Sequence, residues 1–318
     1  MRVGQNPAKF VKTVAQPERI TVAVLNYIPF LSGFYAEMLD VLDTSLRSLR
    51  EGADLPFDLL VYDNGSCEEA HEYLLKEQEA GNIQYLLLSD KNLGKGGAWN
   101  MILSGAPGEI IVYADNDVLY YPGWLSKSLE LLETYPKVGM VTARPFRTRP
   151  DVYSQTVAWG KAQTDVQVVH GDFIPYATFQ EFDLSLGQSE EEIRQHYDSS
   201  EDVKLVYQGV EAIAGASHWQ FMAYKSVLQD FLPFSMDRPM GQVKQLDERM
   251  NQEGYLRLMP TEPYVMNISN TLRDLPGTGK MQGTGKSGEK KRPVLDLPPV
   301  KRVLLFLYDK IFHWYYDR

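Results

Sequence analysis

Short apolar runs alternate with amphipathic stretches over the first 145 residues. Residues 20–25 (ITVAVL) predict a buried strand that ends at Asn26, Tyr27 and Pro29. Residues 35–50 place Met38, Leu39, Leu42, Leu46 and Leu49 at helical spacing, so an amphipathic helix follows. A second strand covers 57–62 (FDLLVY) and closes on Asp63-Asn64-Gly65-Ser66. The same alternation predicts a helix over 67–80, a strand near 83–88, a helix over 96–104, a strand over 109–114, a helix over 124–134 and a strand over 138–142. Strands alternating with helices imply an α/β fold with a doubly wound, mostly parallel sheet.

From 145 to 210 the pattern weakens, as expected of an insertion or of a variable, substrate-facing half. Periodicity returns at 219–232, expected to be helical after the turn Gly215-Ala216-Ser217-His218, and at 242–253. Residues 274–299 are rich in Gly, Pro and Lys and read as a linker. Residues 300–318 are expected to form a C-terminal amphipathic helical extension, with Val303, Leu304, Leu307, Ile311, Trp314 and Tyr315 on one side. The expected division is therefore an N-terminal extension (1–19), a first half (20–145), a second half (146–273), the linker and the tail helix.

Composition narrows the function classes. A net charge of −10 lacks the basic footprint of a nucleic-acid binder. One cysteine, Cys67, permits no internal disulfide and no multi-cysteine zinc site. The first nineteen residues lack the apolar stretch of a signal peptide. No apolar run approaches the ~20 residues of a membrane helix. A cytoplasmic protein is expected. Its tail helix either lies on the inner membrane face, helped by Lys290, Lys291, Arg292, Lys301 and Arg302, or packs on the protein itself or a partner subunit.

The chemistry gathers at strand ends. Asp115-Asn116-Asp117 closes the run Ile110–Ala114 and places two carboxylates at the carboxyl edge of a sheet, where open α/β sheets bind ligands. Hard oxygens suit Mg²⁺ or Mn²⁺ shared with substrate phosphates. Asn26-Tyr27 ends the first strand and Asp63-Asn64-Gly65-Ser66 the second. The stretch from Asn92 to Asn100 (NLGKGGAWN) is a Gly-rich opening to a helix, suited to close backbone approach to phosphate. Lys95 is either a phosphate contact or a solvated loop lysine. The run 279–287 (GKMQGTGKS) lacks the glycine spacing and preceding strand of a P-loop.

These motifs, in this order, resemble the family 2 glycosyltransferases of the GT-A fold. The resemblance is strongest over 20–145, weaker over 210–270 and absent in the tail. It implies a nucleotide-diphosphate sugar as donor and a carbohydrate or lipid-linked acceptor. The implied activity is hexosyl-type transfer to a hydroxyl, with inversion and divalent-metal assistance. By resemblance Asp63 contacts base or ribose. Asn26, Asn92, Gly94, Lys95, Asn100 and Asn116 shape the donor pocket. Asp115 touches ribose or metal, and Asp117 is the main metal ligand. His218 and Trp219 line the acceptor side, Trp219 either stacking on a sugar or packing in the core. An inverting transfer also needs a base. Asp247, at the edge of the apolar face of helix 242–253, is the candidate, although the family's acidic pair would fall a turn earlier, at Gln242 and Val243. Asn267 stands where some relatives carry a metal-binding histidine. A non-catalytic nucleotide-sugar-binding protein and a nucleotidyltransferase are the alternatives.

Overall fold

A computed structural model describes residues 4–237 and 241–273 of the chain. The expected linker and tail helix lie outside the described residues. Residues 4–19 are exposed throughout. Twelve strands are described: β1 (Ile20–Asn26), β2 (Asp58–Asn64), β3 (Tyr85–Ser89), β4 (Ile110–Asp115), β5 (Val118–Tyr120), β6 (Val138–Val141), β7 (Val166–Gly171), β8 (Asp202–Tyr207), β9 (Val210–Ala214), β10 (Gln220–Tyr224), β11 (Leu256–Met259) and β12 (Val265–Asn267). The helices are α1 (Met38–Gly52), α2 (Glu68–Glu79), α3 (Gly94–Gly105), α4 (Trp124–Thr134), α5 (Ser154–Ala162), α6 (Tyr176–Ser185), α7 (Glu190–Asp198), α8 (Lys225–Gln229) and α9 (Gln242–Gln252).

Ten strands form one sheet in the order β3-β2-β1-β4-β10-β6-β11-β9-β8-β7, and β12 pairs with β5 in a second small sheet. The parallel character is concentrated in β3-β2-β1-β4. Strand β10 enters antiparallel between β4 and β6, and β11 runs parallel to β6. Strands β9, β8 and β7 then extend the sheet antiparallel.

Alternation along β1 sorts the core. Val22 and Val24 join the cluster containing Leu42, Leu46 and Leu49 of α1, whereas Ala23 and Leu25 join Trp99, Ile102 and Leu103 of α3. Helices thus cover both faces, as a doubly wound sheet requires. Register sets the strand ends level: Asn26 lies opposite Asp63, and Leu25 opposite Asp115. Strand order reverses at β1, which has β2 on one side and β4 on the other. This is the switch point where α/β sheets open a crevice.

One expectation needs correction. The stretch after Trp219 is not a helix from the outset: Gln220–Tyr224 is a buried strand, followed by the short α8. Its backbone pairs with both β4 and β6, which overrides the helical spacing of its apolar residues. The stretch 145–210, whose apolar pattern is weak, contains regular elements. It holds α5, α6, α7 and the antiparallel strands β7 and β8. Helix α7 buries only Ile193 and is started by a capping box between Ser189 and Glu192, so its sequence offers few apolar residues to read.

Candidate active site

Asp115 ends β4 at the crevice, and the structure gives it a partner. Lys95 Nζ lies 2.9 Å from each of its carboxylate oxygens. The Tyr113 hydroxyl donates to Oδ1 at 2.5 Å. The ammonium also sits 5.7 Å and 5.5 Å from the ring centroids of Trp99 and Tyr113. Lys95 is therefore the counter-ion of Asp115 rather than a solvated loop lysine. Asp117 is in the opposite situation. Its Oδ1 is buried and has no hydrogen-bond partner. Burial, followed by the charge of Asp115, pushes its carboxyl up to about 7, with Lys95 opposing. A buried carboxylate oxygen without a donor is costly unless a cation meets it.

The residues fit a divalent ion in a limited way. Asp117 offers the unpartnered oxygen, and Asp115 offers a second carboxylate if Lys95 lets go of it. Asn267 pairs with Val118 across β12 and β5, but its Oδ1 already accepts the Ser269 amide at 2.9 Å. Among the described residues no group of three His, Cys, Asp or Glu converges. One or two carboxylates completed by substrate phosphates and water form an ordinary Mg²⁺-type donor set.

Several residues expected at the donor are engaged with one another. Asn116 donates to Asn26 Oδ1 at 2.7 Å, and Asn26 donates to Asp63 Oδ1 at 2.7 Å. Asp63 Oδ2 accepts the Ser66 amide at 3.0 Å and meets His71 Nε2 at 2.7 Å. Asn26 and Asp63 are fully buried and Asn116 nearly so. These three form a polar chain across β4, β1 and β2, and His71 is its outermost member, with a side chain 30% exposed.

The Gly-rich loop is held from β2. Asn64 accepts the Leu93 amide at 2.9 Å and donates to Asn92 Oδ1 at 3.0 Å. The same Asn92 oxygen caps the Gly94 amide at 2.7 Å. Gly94 has φ of +67°, and α3 begins there rather than at 96. A Cβ on Gly97 would lie 2.7 Å from the Leu93 Cβ, so the loop needs glycine where it folds onto the helix. Asn100, expected at the donor pocket, binds the backbone of Phe234. Its amide donates to the Phe234 carbonyl at 2.9 Å and accepts the Phe234 amide at 2.7 Å.

In the second half, where the acceptor is expected, the structure brings Asp247 and His218 together. Asp247 Oδ2 lies 3.2 Å from His218 Nδ1, and Oδ1 lies 2.6 Å from Arg257 Nη2. The Arg257 side chain is fully buried, and burial lowers its pKa despite Asp247. A cleft of about 330 Å³ opens beside this pair, lined in part by Arg147, Arg149, Ser217 and Lys244. A larger cleft of about 920 Å³ shares Arg147, Thr148 and Arg149 with it. The two sides of the site are joined, because the Asp115 amide donates to the Trp219 carbonyl at 2.9 Å. The Trp219 ring itself packs in the core, stacked on Phe182 at 5.6 Å. It offers no open face to a sugar.

His71, Asn64 and Arg257 belong to this site and escaped the sequence reading. Arg257 left a signal, being a charged residue inside the apolar strand Leu256–Met259, where a buried charge needs a partner. His71 left only its position on α2, shortly after the turn that carries Asp63.

Residues 33–169 match the family model described as glycosyl transferase family 2. The family resemblance is borne out. An uncharacterized glycosyltransferase from Nostoc sp. is 24% identical over 123 residues, 39% of this chain and 35% of that protein. The chain thus spans about a third of the length of the curated relative it matches. Among solved structures, the mannosyltransferase PcManGT from Pyrobaculum calidifontis, in complex with GDP-Man and Mn²⁺, is similar at 17% identity and a TM-score of 0.47, over 82% of this chain and 59% of that one. S. aureus TarS 1-349 in complex with UDP is similar at 12% identity and a TM-score of 0.46, over 78% of this chain and 60% of that one. Against the family 2 pattern, the parallel half of the sheet and its strand-end carboxylates are present. The acidic pair expected a turn before Asp247 is replaced by Gln242 and Val243.

Proposed function

We propose that the chain transfers a sugar from a nucleotide-diphosphate donor to an acceptor hydroxyl, by single displacement with inversion. The observation that carries this reading is the hydrogen bond from Asp115 to the Trp219 carbonyl. It ties the end of β4, which carries the two carboxylates, to the segment that carries His218. The donor lies at the β1/β4 crevice, with its diphosphate toward Asp115, Asp117 and Lys95. A Mn²⁺ or Mg²⁺ ion held by Asp117 and Asp115 would supply Lewis-acid stabilisation of the departing diphosphate. Lys95 then exchanges Asp115 for the phosphate oxygens, so its charge stays in the site. His71 and the exposed Asn92 are the groups that face the nucleoside. The acceptor, a carbohydrate or lipid-linked hydroxyl, enters by the cleft at His218 and Asp247, and this pair takes its proton. The enzyme works in the cytoplasm on this reading. Among the described residues no helix is long and apolar enough to cross a membrane.

The test is a thermal-shift panel of UDP-, GDP- and dTDP-sugars with and without Mn²⁺, followed by measurement of nucleoside diphosphate release. One donor class should stabilise the protein and turn over. No stabilisation and no release with any donor would overturn the proposal.

A further inference from the structure

Asp247 sits where a base belongs, yet neither of its oxygens is left to act alone. Oδ1 is held at 2.6 Å by Arg257, whose guanidinium also donates to the Ala216 carbonyl at 2.5 Å and the Val152 carbonyl at 3.3 Å. Removing Asp247 from this contact would leave a buried cation unpaired, which is strongly unfavourable. Oδ2 faces His218 Nδ1 at 3.2 Å. The Asp247 side chain is 14% exposed, whereas that of His218 is 31% exposed. The group that the cleft presents to an incoming hydroxyl is therefore the imidazole.

We infer that His218, through Nε2, is the proton acceptor for the transfer reaction, with Asp247 and Arg257 as positioning residues behind it. The inference rests on the transfer activity proposed above. A carboxylate at Nδ1 selects the tautomer with its proton on Nδ1, leaving a lone pair on Nε2 aimed outward. In the step, the acceptor oxygen forms its bond to the anomeric carbon while its proton passes to His218 Nε2. The bond from the anomeric carbon to the diphosphate oxygen breaks, and the electron pair leaves with the diphosphate. The resulting imidazolium is balanced by Asp247 and returns its proton to solvent. Asp247 keeps its charge throughout, which the buried Arg257 enforces.

The other charged groups around the imidazole do not displace this assignment. Arg147 is held by Asp202 and Asp172, Arg149 by Asp151, and Lys244 by Glu248. Asp247 is thus the carboxylate that meets the ring.

Two measurements decide. The first is the rate of UDP or GDP release from the donor that turns over, followed against pH. His218→Gln should lower kcat by about 10²–10⁴-fold, with donor KM unchanged, and should abolish the fall in rate at acid pH. Asp247→Asn should shift that acid limb toward lower pH, because the imidazolium loses its counter-charge. A His218→Gln enzyme within tenfold of wild type, with its acid limb intact, would overturn the inference and return the base role to Asp247. The second is the long-range ¹⁵N–¹H NMR spectrum of the full chain, with His218 assigned by loss of its signals in His218→Gln. The proton should sit on Nδ1, and Asp247→Asn should disturb this. A predominant Nε2–H tautomer would overturn the inference whether or not any donor turns over. Inactivity of the wild type toward every donor, by contrast, sinks the transfer reaction itself.

Discussion

Replacing Asp117 by asparagine should stabilise the metal-free protein while abolishing its response to Mn²⁺. The reason lies in the unpartnered, buried Oδ1. Burial and Asp115 move this carboxyl from 3.8 to about 7. At 1.36 kcal/mol per factor of ten, the charged form carries a penalty of about 4 kcal/mol. The sign follows from the raised value. The folded protein holds the proton more tightly than the unfolded chain, so the full stability is present below about pH 4. It falls as pH rises and has been lost once pH passes about 7. Asparagine removes the charge but leaves a neutral polar atom unpaired, at a cost of about 1–3 kcal/mol. The net gain at pH 8 in EDTA is then about 1–3 kcal/mol, or about 2–4 °C in Tm per kcal/mol for a chain of this size. At pH 5 the gain should shrink or reverse, because wild-type Asp117 is then largely protonated. With Mn²⁺ at a hundred times its Kd, wild type should gain about 2.7 kcal/mol and the variant little, so the order of stabilities reverses. Urea melts at both pH values, with EDTA or Mn²⁺, check this. A variant no more stable than wild type in EDTA at pH 8, or equally stabilised by Mn²⁺, would refute the reasoning.

Three further outcomes are expected. Lys95→Met frees Asp115 beside Asp117, so the metal-free protein should melt lower and its Mn²⁺-induced rise in Tm should exceed that of wild type; equal rises would show that Lys95 does not compete with the ion. Arg257→Met strips the buried partner from Asp247 and should cost about 3–5 kcal/mol in urea unfolding, whereas the double variant Arg257→Met/Asp247→Leu should recover much of it. Asn100→Ala removes both hydrogen bonds to Phe234 and should cost about 1–3 kcal/mol with no change in donor affinity; a weakened donor thermal shift would restore Asn100 to the donor pocket.

Apart from the short β5, the strands and helices of the first half were legible because short apolar runs closed by turn residues alternate with stretches of helical period. Helix α4 matches its expected span at both ends, and β1 and β4 differ from theirs by a residue. The strand-end motifs were legible for the same reason, since a doubly wound order forces their ends together. What each polar residue does there was less legible. Asn26, Asp63 and Asn116 have the residue types of a ligand pocket, but also those of a buried hydrogen-bond chain. Only the register of Asn26 against Asp63, and the reach of His71 from α2, separates the two. Lys95 is similar: its approach to Asp115 depends on α3 beginning at Gly94, and glycines in sequence mark either a loop or a helix start. In the second half, β10 was hidden because its apolar run passes directly into α8 with no Gly or Pro between them, so the joined stretch reads as one helix.

The arrangement of charge across the crevice has a consequence for how the site can work. Asp115 is balanced by Lys95, and Asp247 by Arg257, at 2.9 Å and 2.6 Å. Asp117 alone among these carboxylates has a buried oxygen left without a partner. A cation arriving with a diphosphate therefore has one unsatisfied oxygen to meet and one ion pair to open, and that second step is favourable only if phosphate takes over Lys95. Metal without diphosphate would strand the ammonium next to a second cation. Binding of ion and donor should thus be mutually dependent. By linkage, whatever factor the donor adds to metal affinity, the metal must add to donor affinity. Titrating Mn²⁺ calorimetrically with and without the donor's nucleoside diphosphate should show at least tenfold coupling in wild type and much less in Lys95→Met, where no displaced ammonium needs the phosphate. Independent binding of the two in wild type would mean that Lys95 stays on Asp115 throughout, leaving Asp117 as the metal's protein ligand at this edge.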